Sequence, residues 1–120
     1  MQAFYDGYYY SGMYHIAIDV YVVDVLMRDL TEHDRSPAAF VVYLALWTTL
    51  YRLTQRRVEI SLQQLADATG LSKSSVQAAM RILKGRGLVR VTNRSPTSVP
   101  QYELVRHWLR RRRPPQSGSQ

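Results

Sequence analysis

Hydrophobic side chains recur every three or four residues in several stretches of the 120-residue chain, the spacing of helices with a buried face. The longest stretch begins at Ser36-Pro37, where a capping serine precedes a proline whose fixed φ suits a first helical turn, and it predicts a helix over residues 37–54. A helix that is apolar on two sides must be covered on both, either within its own chain or by a second copy. Its first stripe is Phe40, Tyr43, Leu44, Trp47, Leu50 and Tyr51, and its second is Val42, Ala45, Leu46, Thr49 and Leu53.

A shorter periodic stretch precedes this helix. Asp19 has the character of an N-cap, and residues 20–30 predict a helix, although their many β-branched side chains leave a strand as the alternative. Residues 15–18 predict a short strand. The side chains expected to face inward from the helix are Val20, Val23, Met27 and Leu30.

After the long helix, the pattern predicts two short helices joined by a tight turn. Ser61 caps the first, and Gln64 lies three residues later, where its side chain reaches back to the cap. Gly70 ends that helix because glycine adopts a left-handed backbone at little steric cost, and Ser72 caps the second helix. One face of the second helix is apolar, with Val76, Ala79, Met80 and Leu83. The other face is small, polar and basic, with Lys73, Ser74, Gln77, Ala78 and Arg81.

The last part of the domain predicts a β-hairpin. Gly85-Arg86-Gly87 interrupts the helical pattern, and residues 88–92 and 101–105 then predict two strands joined by a polar loop. A further short strand is expected over residues 58–61, before the two short helices.

The two ends of the chain lack this periodicity. Residues 1–14 hold six tyrosine and phenylalanine side chains among polar residues and glycines, which predicts a flexible arm that either covers an apolar surface or serves self-association or base stacking. Residues 110–120 begin with four arginines and predict a disordered basic tail, which either follows phosphates or only aids solubility. Residues 15–109 form the one expected domain.

Charge and composition narrow the expected partners. The net charge is +7, but residues 1–34 hold six acidic side chains and one basic one, so the remainder carries +12. A cationic remainder suits phosphate binding, and the acidic first part is expected to face away from DNA. The chain has no cysteine, no secretory signal at its start and no uncharged run of the ~20 residues that a membrane span needs. These features predict a cytoplasmic, nucleoid-associated protein without a membrane partner.

Catalytic and metal sites are not expected. The chain has no glycine-rich phosphate loop with a lysine, and His15, His33 and His107 share no metal-ligand spacing. A tyrosine nucleophile of the DNA-nicking type needs paired histidines that hold a metal, and no His-x-His occurs. The prediction is therefore a protein without a catalytic residue, metal ligand or cofactor.

The two short helices, residues 60–83, resemble the helix-turn-helix family, with Ala66, Gly70 and Val76 at matching positions. With the long helix before them and the hairpin after them, residues 36–107 resemble the winged helix family, in which the hairpin is called the wing. This resemblance implies a mainly α winged helix-turn-helix fold with a small β-hairpin wing. An ordinary helical hairpin that touches no nucleic acid is the competing interpretation.

The resemblance also implies which residues contact double-stranded DNA. The second helix would enter the major groove, where Gln77 suits adenine and Arg81 or Lys73 suits guanine or phosphate, while the wing would follow the backbone. The expected contact residues on the helix are Ser72, Lys73, Ser74, Ser75, Gln77, Ala78 and Arg81. Those on the wing are Arg90, Asn93, Arg94, Ser95 and Thr97.

The predicted function is sequence-specific binding of double-stranded DNA by a bacterial or phage-type transcriptional regulator. It is expected to act as a homodimer through the helices at residues 20–30 and 37–54. One alternative is a plasmid- or phage-type replication initiation or replisome-loading factor. Another is a winged helix used only as a protein-interaction module, which salt-sensitive binding to DNA would exclude.

Overall fold

The computed structural model describes residues 15–110 of the chain. The predicted arm, residues 1–14, and all but the first residue of the predicted tail lie outside the described residues. The helical segments are α1 over residues 20–33, α2 Pro37–Leu53, α3 Leu62–Thr69, α4 Lys73–Gly85 and α5 His107–Arg110. The strands are β1 Arg57–Glu59, β2 Val89–Thr92 and β3 Gln101–Leu104.

The segment α1 is wound more widely than an α-helix over most of its length. Two π-helical stretches, Val22–Leu26 and Asp29–His33, make up ten of its residues. Their backbone hydrogen bonds join each carbonyl to the amide five residues on, as between Asp29 and Asp34 at 3.0 Å. The helix is therefore confirmed over its strand alternative, but residues 15–18 form no strand, so that prediction is wrong.

The wide winding also changes the buried face of α1. Side chains four residues apart lie on the core side, and these are Val22, Leu26 and Leu30. The expected inward face is wrong in three of its four positions, since Val20, Val23 and Met27 are 75%, 47% and 43% exposed. The prediction assumed that inward side chains recur every three or four residues, as in an α-helix. A π-helical turn contains more than four residues, so a different set of side chains faces the core.

Helix α2 lies at the centre of the fold and is covered on two sides by the chain itself. Its first turn is capped as predicted, because the Ser36 hydroxyl accepts from the Ala39 amide at 3.1 Å. Tyr43 from the first stripe and Leu46 from the second are both fully buried, and α2 packs against α1, α3, α4 and β1. Leu53, at the end of the helix, is 47% exposed. The second stripe is therefore core at Leu46 rather than a surface for a second copy.

The three strands form an antiparallel sheet in the order β1-β3-β2. The predicted hairpin is present as β2 and β3, and the short strand predicted over residues 58–61 is found at Arg57–Glu59, where it joins the hairpin as β1. Tyr102 on β3 pairs with Val58 on one side and Val91 on the other, and Tyr102 and Val58 are buried. Alternate residues of each strand therefore cover the helices and the others face outward.

The two ends of the described chain meet beside α2. The Asp19 carboxylate accepts from Nε and Nη2 of Arg106 at 3.0 and 2.8 Å and from Nε1 of Trp108 at 2.9 Å. The Trp47 indole N–H donates to the carbonyl of Ala17 at 2.8 Å, and the Arg106 guanidinium lies 5.2 Å from the Trp47 ring centre. We call these five residues the terminal junction. It fastens the start of α1 and the start of α5 to the central helix.

Candidate nucleic-acid interface

The turn between α3 and α4 has the local structure that its sequence predicts. The Ser61 hydroxyl accepts from the Gln64 amide at 3.0 Å, and the Gln64 side chain accepts from the Ser61 amide at 2.9 Å, which completes a capping box. Gly70 then takes a φ of +80°, a left-handed conformation that strains any other residue. This turn sets the angle at which α4 leaves α3.

Helix α4 is held against the core by its apolar face. The Ser72 hydroxyl accepts from the Ser75 amide at 3.1 Å and so caps its first turn. The whole predicted inner face is buried, and the helix packs against α2 and α3. Its members are Val76, Ala79, Met80 and Leu83. A helix anchored along its full length presents its outer face in a fixed orientation.

The outer face of α4 combines short side chains with two cations and an amide. Lys73, Gln77 and Arg81 lie four residues apart on one exposed row, which extends about 12 Å along the helix axis, the length of three to four base pairs. Ser74 and Ala78 lie beside this row and are also exposed. Because the side chains of Ser74 and Ala78 are short, another molecule can approach the helix closely. The longer side chains of Lys73, Gln77 and Arg81 would then make the first contacts with it.

Three serines of the predicted contact set, Ser72, Ser74 and Ser75, make hydrogen bonds within the helix cap. The hydroxyl of Ser72 is 2.9 Å from that of Ser75 and 3.2 Å from that of Ser74, besides accepting from the Ser75 amide. Ser75 is half-buried, while Ser72 is exposed. Both side chains therefore order the first turn of α4, where exposed backbone N–H groups favour an anion.

The loop at the tip of the hairpin is ordered by its own side chains. The Ser95 amide donates to the Ser98 hydroxyl at 3.1 Å, and the Ser98 amide donates to the Ser95 carbonyl at 3.2 Å. Pro96 occupies the second position of this four-residue turn, where its fixed φ is favoured. The predicted contact residues of the loop, Asn93, Arg94, Ser95 and Thr97, are all exposed. Arg94, the cation of the loop, therefore directly precedes a defined turn.

Arg90 lies in a different environment from Arg94. It sits on β2 opposite Glu103, which is opposite Arg57 on the other side of β3. One oxygen of Glu103 is 3.2 Å from Nη1 of Arg90 and 3.6 Å from Nε of Arg57. The shared carboxylate partly neutralises Arg90, which the sequence prediction treated as a free cation. Arg90 and Glu103 are thirteen positions apart in the chain, and no local sequence pattern indicates that the strand register brings them together.

The acidic first part of the chain contacts α4 at its far end. Nη2 of Arg86 lies 2.7 Å from an oxygen of Asp29, and Nε of Arg86 lies 3.5 Å from Asp34. These ion pairs join α1 to the C-terminal end of α4, whereas Ser72 caps its N-terminal end. The acidic side chains Asp29 and Asp34 are thus separated from the first turn of α4 by the length of that helix. Sequence reasoning treated Arg86 only as part of the helix stop.

Other kinds of site find little support within residues 15–110. No three His, Asp or Glu side chains of this region converge as metal ligands. None of its helices is long and apolar enough to cross a membrane. The pKa shifts resolved there belong to core tyrosines. Burial raises the pKa of Tyr102, and it raises that of Tyr43 strongly, against a smaller lowering by Arg106.

Comparison with known families agrees with this geometry. Residues 49–92 match the family model of the IclR helix-turn-helix domain, a winged helix-turn-helix family of DNA-binding bacterial regulators. The matched segment runs from the last turn of α2 through α3 and α4 to the end of β2. Comparison with curated proteins and with solved structures gave no match.

This match and the architecture together identify a winged helix-turn-helix domain. The predicted fold class, mainly α with a small β-hairpin wing, is confirmed. At the level of the family, the match supports a DNA-binding transcriptional regulator.

Proposed function

We propose that this protein binds double-stranded DNA at specific sequences and regulates transcription. In this proposal α4 enters the major groove and the β2–β3 wing follows the neighbouring backbone. The supporting observation is the exposed row of Lys73, Gln77 and Arg81 on a helix whose opposite face is fully anchored in the core. A role on genomic DNA implies a cytoplasmic, nucleoid-associated protein, and it needs no cofactor or catalytic residue.

The side chains of α4 suit different parts of the duplex. The planar amide of Gln77 pairs with the two major-groove atoms of adenine, and it lies in the middle of the row. Arg81 and Lys73, one turn to either side, suit guanine or phosphate. Ser74 and Ala78 allow close approach, and Ser72 and Ser75 order the first turn of α4, where the helix N-terminus favours a phosphate. Base identity is therefore assigned chiefly to Gln77.

The wing is assigned to phosphate contacts. Arg94 is exposed on a loop that Ser95 and Ser98 hold in a turn, so little order needs to be gained on binding. Asn93 and Thr97 supply neutral donors on the same loop. Arg90 contributes less than Arg94 in this assignment, because Glu103 already shares its charge.

Salt titration of a bound duplex tests the proposal. If Lys73, Arg81 and Arg94 each neutralise one phosphate and Arg90, paired with Glu103, contributes less, the slope of log K against log salt lies between about −2.7 and −3.6. Neutral substitution of Lys73, Arg81 or Arg94 should flatten it by about 0.9. Arg28→Gln, on the exposed surface of α1, serves as the matched control and should leave the slope unchanged. A slope near zero for the native protein would leave the protein-interaction module as the better account.

Selection of bound genomic fragments distinguishes a transcriptional regulator from a replication initiation factor. Binding sites in promoters would support regulation, whereas repeated sites clustered at an origin would support replication initiation.

The proposal includes a homodimer, with its contact surface on α1. Val20, Val23 and Met27 are exposed apolar side chains of this helix, and a two-fold pair of copies through α1 would bury them. Sedimentation at micromolar concentration tests this, with Val23→Glu expected to give monomers that remain folded. Leu46→Glu is unsuitable because Leu46 is buried in the core. A native protein that sediments as a monomer would remove the dimer, and with it the expectation of half-sites one DNA turn apart.

A further inference from the structure

A cleft of about 370 Å³ lies between the end of α2, β3 and α5. Its walls combine apolar and charged side chains. Trp47, Leu50, Leu104 and Leu109 supply apolar surface, and the charged side chains are Arg56, Glu103 and Arg106, the last of which is paired with Asp19. Leu109 is 39% exposed, which is high for a side chain that lines a concave surface. The cleft is on the opposite end of α2 from its Ser36 cap, and none of the DNA-contact residues assigned above lines it.

Both segments outside the described residues begin beside this cleft. The carbonyl of Ala17 accepts from the Trp47 indole, which lines the cleft, and Ala17 is only two positions after His15. Two residues span at most about 7 Å, so the arm starts at the edge of the cleft. The tail starts there as well, because α5 ends one residue after Leu109.

Composition distinguishes the two segments. The tail continues with Arg111 to Arg113 and contains no aromatic ring that could pack on the apolar walls. The arm has one acidic residue, Asp6, no basic residue and six aromatic rings. Aromatic rings pack on apolar walls and also stack on guanidinium groups, as Trp47 already does with Arg106. The arm is therefore the complementary segment.

The length of the arm also permits contact with the whole cleft. Fourteen extended residues reach about 46 Å, which exceeds the two shorter dimensions of the described molecule, 33 and 32 Å. We propose that the arm, residues 1–14, docks intramolecularly in this cleft, with the Tyr8-Tyr9-Tyr10 run against Leu109 and the guanidinium of Arg56. The inference does not depend on DNA binding, since it concerns a different surface.

Methyl NMR of the full-length protein with a soluble gadolinium chelate tests this docking. The chelate enhances the relaxation of exposed methyl groups, and Val99 in the wing loop, 48% exposed, provides an internal reference for Leu109, 39% exposed. An open cleft predicts an enhancement at Leu109 about four-fifths of that at Val99, from the ratio of these exposed fractions. A docked arm predicts a much smaller fraction. The triple variant Tyr8→Ser, Tyr9→Ser, Tyr10→Ser should restore the four-fifths ratio.

A matched triple variant in the tail, Arg111→Gln, Arg112→Gln, Arg113→Gln, should leave Leu109 as protected as in the native protein. Arg56→Gln should raise its exposure partway. The proposal is overturned if Leu109 already has the open ratio in the native protein, or if the tail variant rather than the arm variant exposes it. Protection that disappears on dilution would assign the cleft to the arm of a second copy and would also overturn intramolecular docking.

Discussion

Replacing Asp19 by alanine should destabilise the protein, because its carboxylate joins the two ends of the described chain. The carboxylate accepts from Arg106 and from Trp108, which lie 87 and 89 residues away in the chain. Trp108 is buried, so its N–H would lose its acceptor at a cost of about 1–3 kcal/mol. The ion pair adds less, about 1 kcal/mol, since the side chains of Arg106 and Asp19 are 41% and 27% exposed. The expected loss in the free energy of unfolding is therefore about 2–4 kcal/mol.

Urea denaturation followed by tryptophan fluorescence measures this loss, and thermal unfolding should show a midpoint lower by roughly 10–20 °C. Asp19→Asn keeps one acceptor oxygen and should lose about half as much free energy. Asp24→Ala is the control, because Asp24 is exposed on α1, and it should change stability by no more than about 0.5 kcal/mol. Equal tolerance of Asp19→Ala and Asp24→Ala would refute the idea that the terminal junction holds the two ends of the chain.

Four further substitutions test separate parts of the structure. Burial raises the pKa of Tyr43, so the folded state holds the phenol proton more tightly than the unfolded state does. The free energy of unfolding should therefore fall as pH rises past about 10, the ordinary pKa of tyrosine. Tyr43→Phe should lessen this alkaline loss, measured by urea denaturation at increasing pH. Gly70→Ala should cost about 1–2 kcal/mol through its positive φ alone, whereas Gly85→Ala, in α4 with open space around it, should be stabilising in the same denaturation assay. Glu103→Gln should release Arg90 and steepen the salt dependence of DNA binding by up to about 0.9, and an unchanged slope would remove Arg90 from the interface.

The parts of the fold that sequence analysis predicted correctly depend on residues close together in the chain. The capping box joins Ser61 and Gln64, and the left-handed turn needs only Gly70. The two faces of α4 follow from regular α-helical spacing, which this helix keeps along its length. Local signals of this kind were sufficient for the helix-turn-helix and for the exposed face on which the candidate site depends.

The parts that were missed depend on distant contacts or on irregular winding. No local sequence pattern around Val23 predicts π-helical turns, and the π-helical winding places the Val23 side chain on the outside of α1. The apolar second stripe of α2 did not reveal whether Leu46 packs within the chain or on a second copy, because both give the same pattern. In the site, the pairing of Arg90 with Glu103 requires the strand register, and that register emerges only in the assembled sheet.

The central claim is that α4 reads bases while the wing holds phosphates, and a comparison of two variants on two duplexes tests it most directly. Affinity should be measured on the selected site and on a scrambled duplex of equal length, for Gln77→Ala in the row of α4 and Arg94→Ala in the wing loop. We predict that Gln77→Ala costs about 1–3 kcal/mol on the selected site and little on the scrambled one, and that Arg94→Ala weakens both equally. If Gln77→Ala keeps the preference and Arg94→Ala abolishes it, the wing is the reader and the assignment of α4 is contradicted.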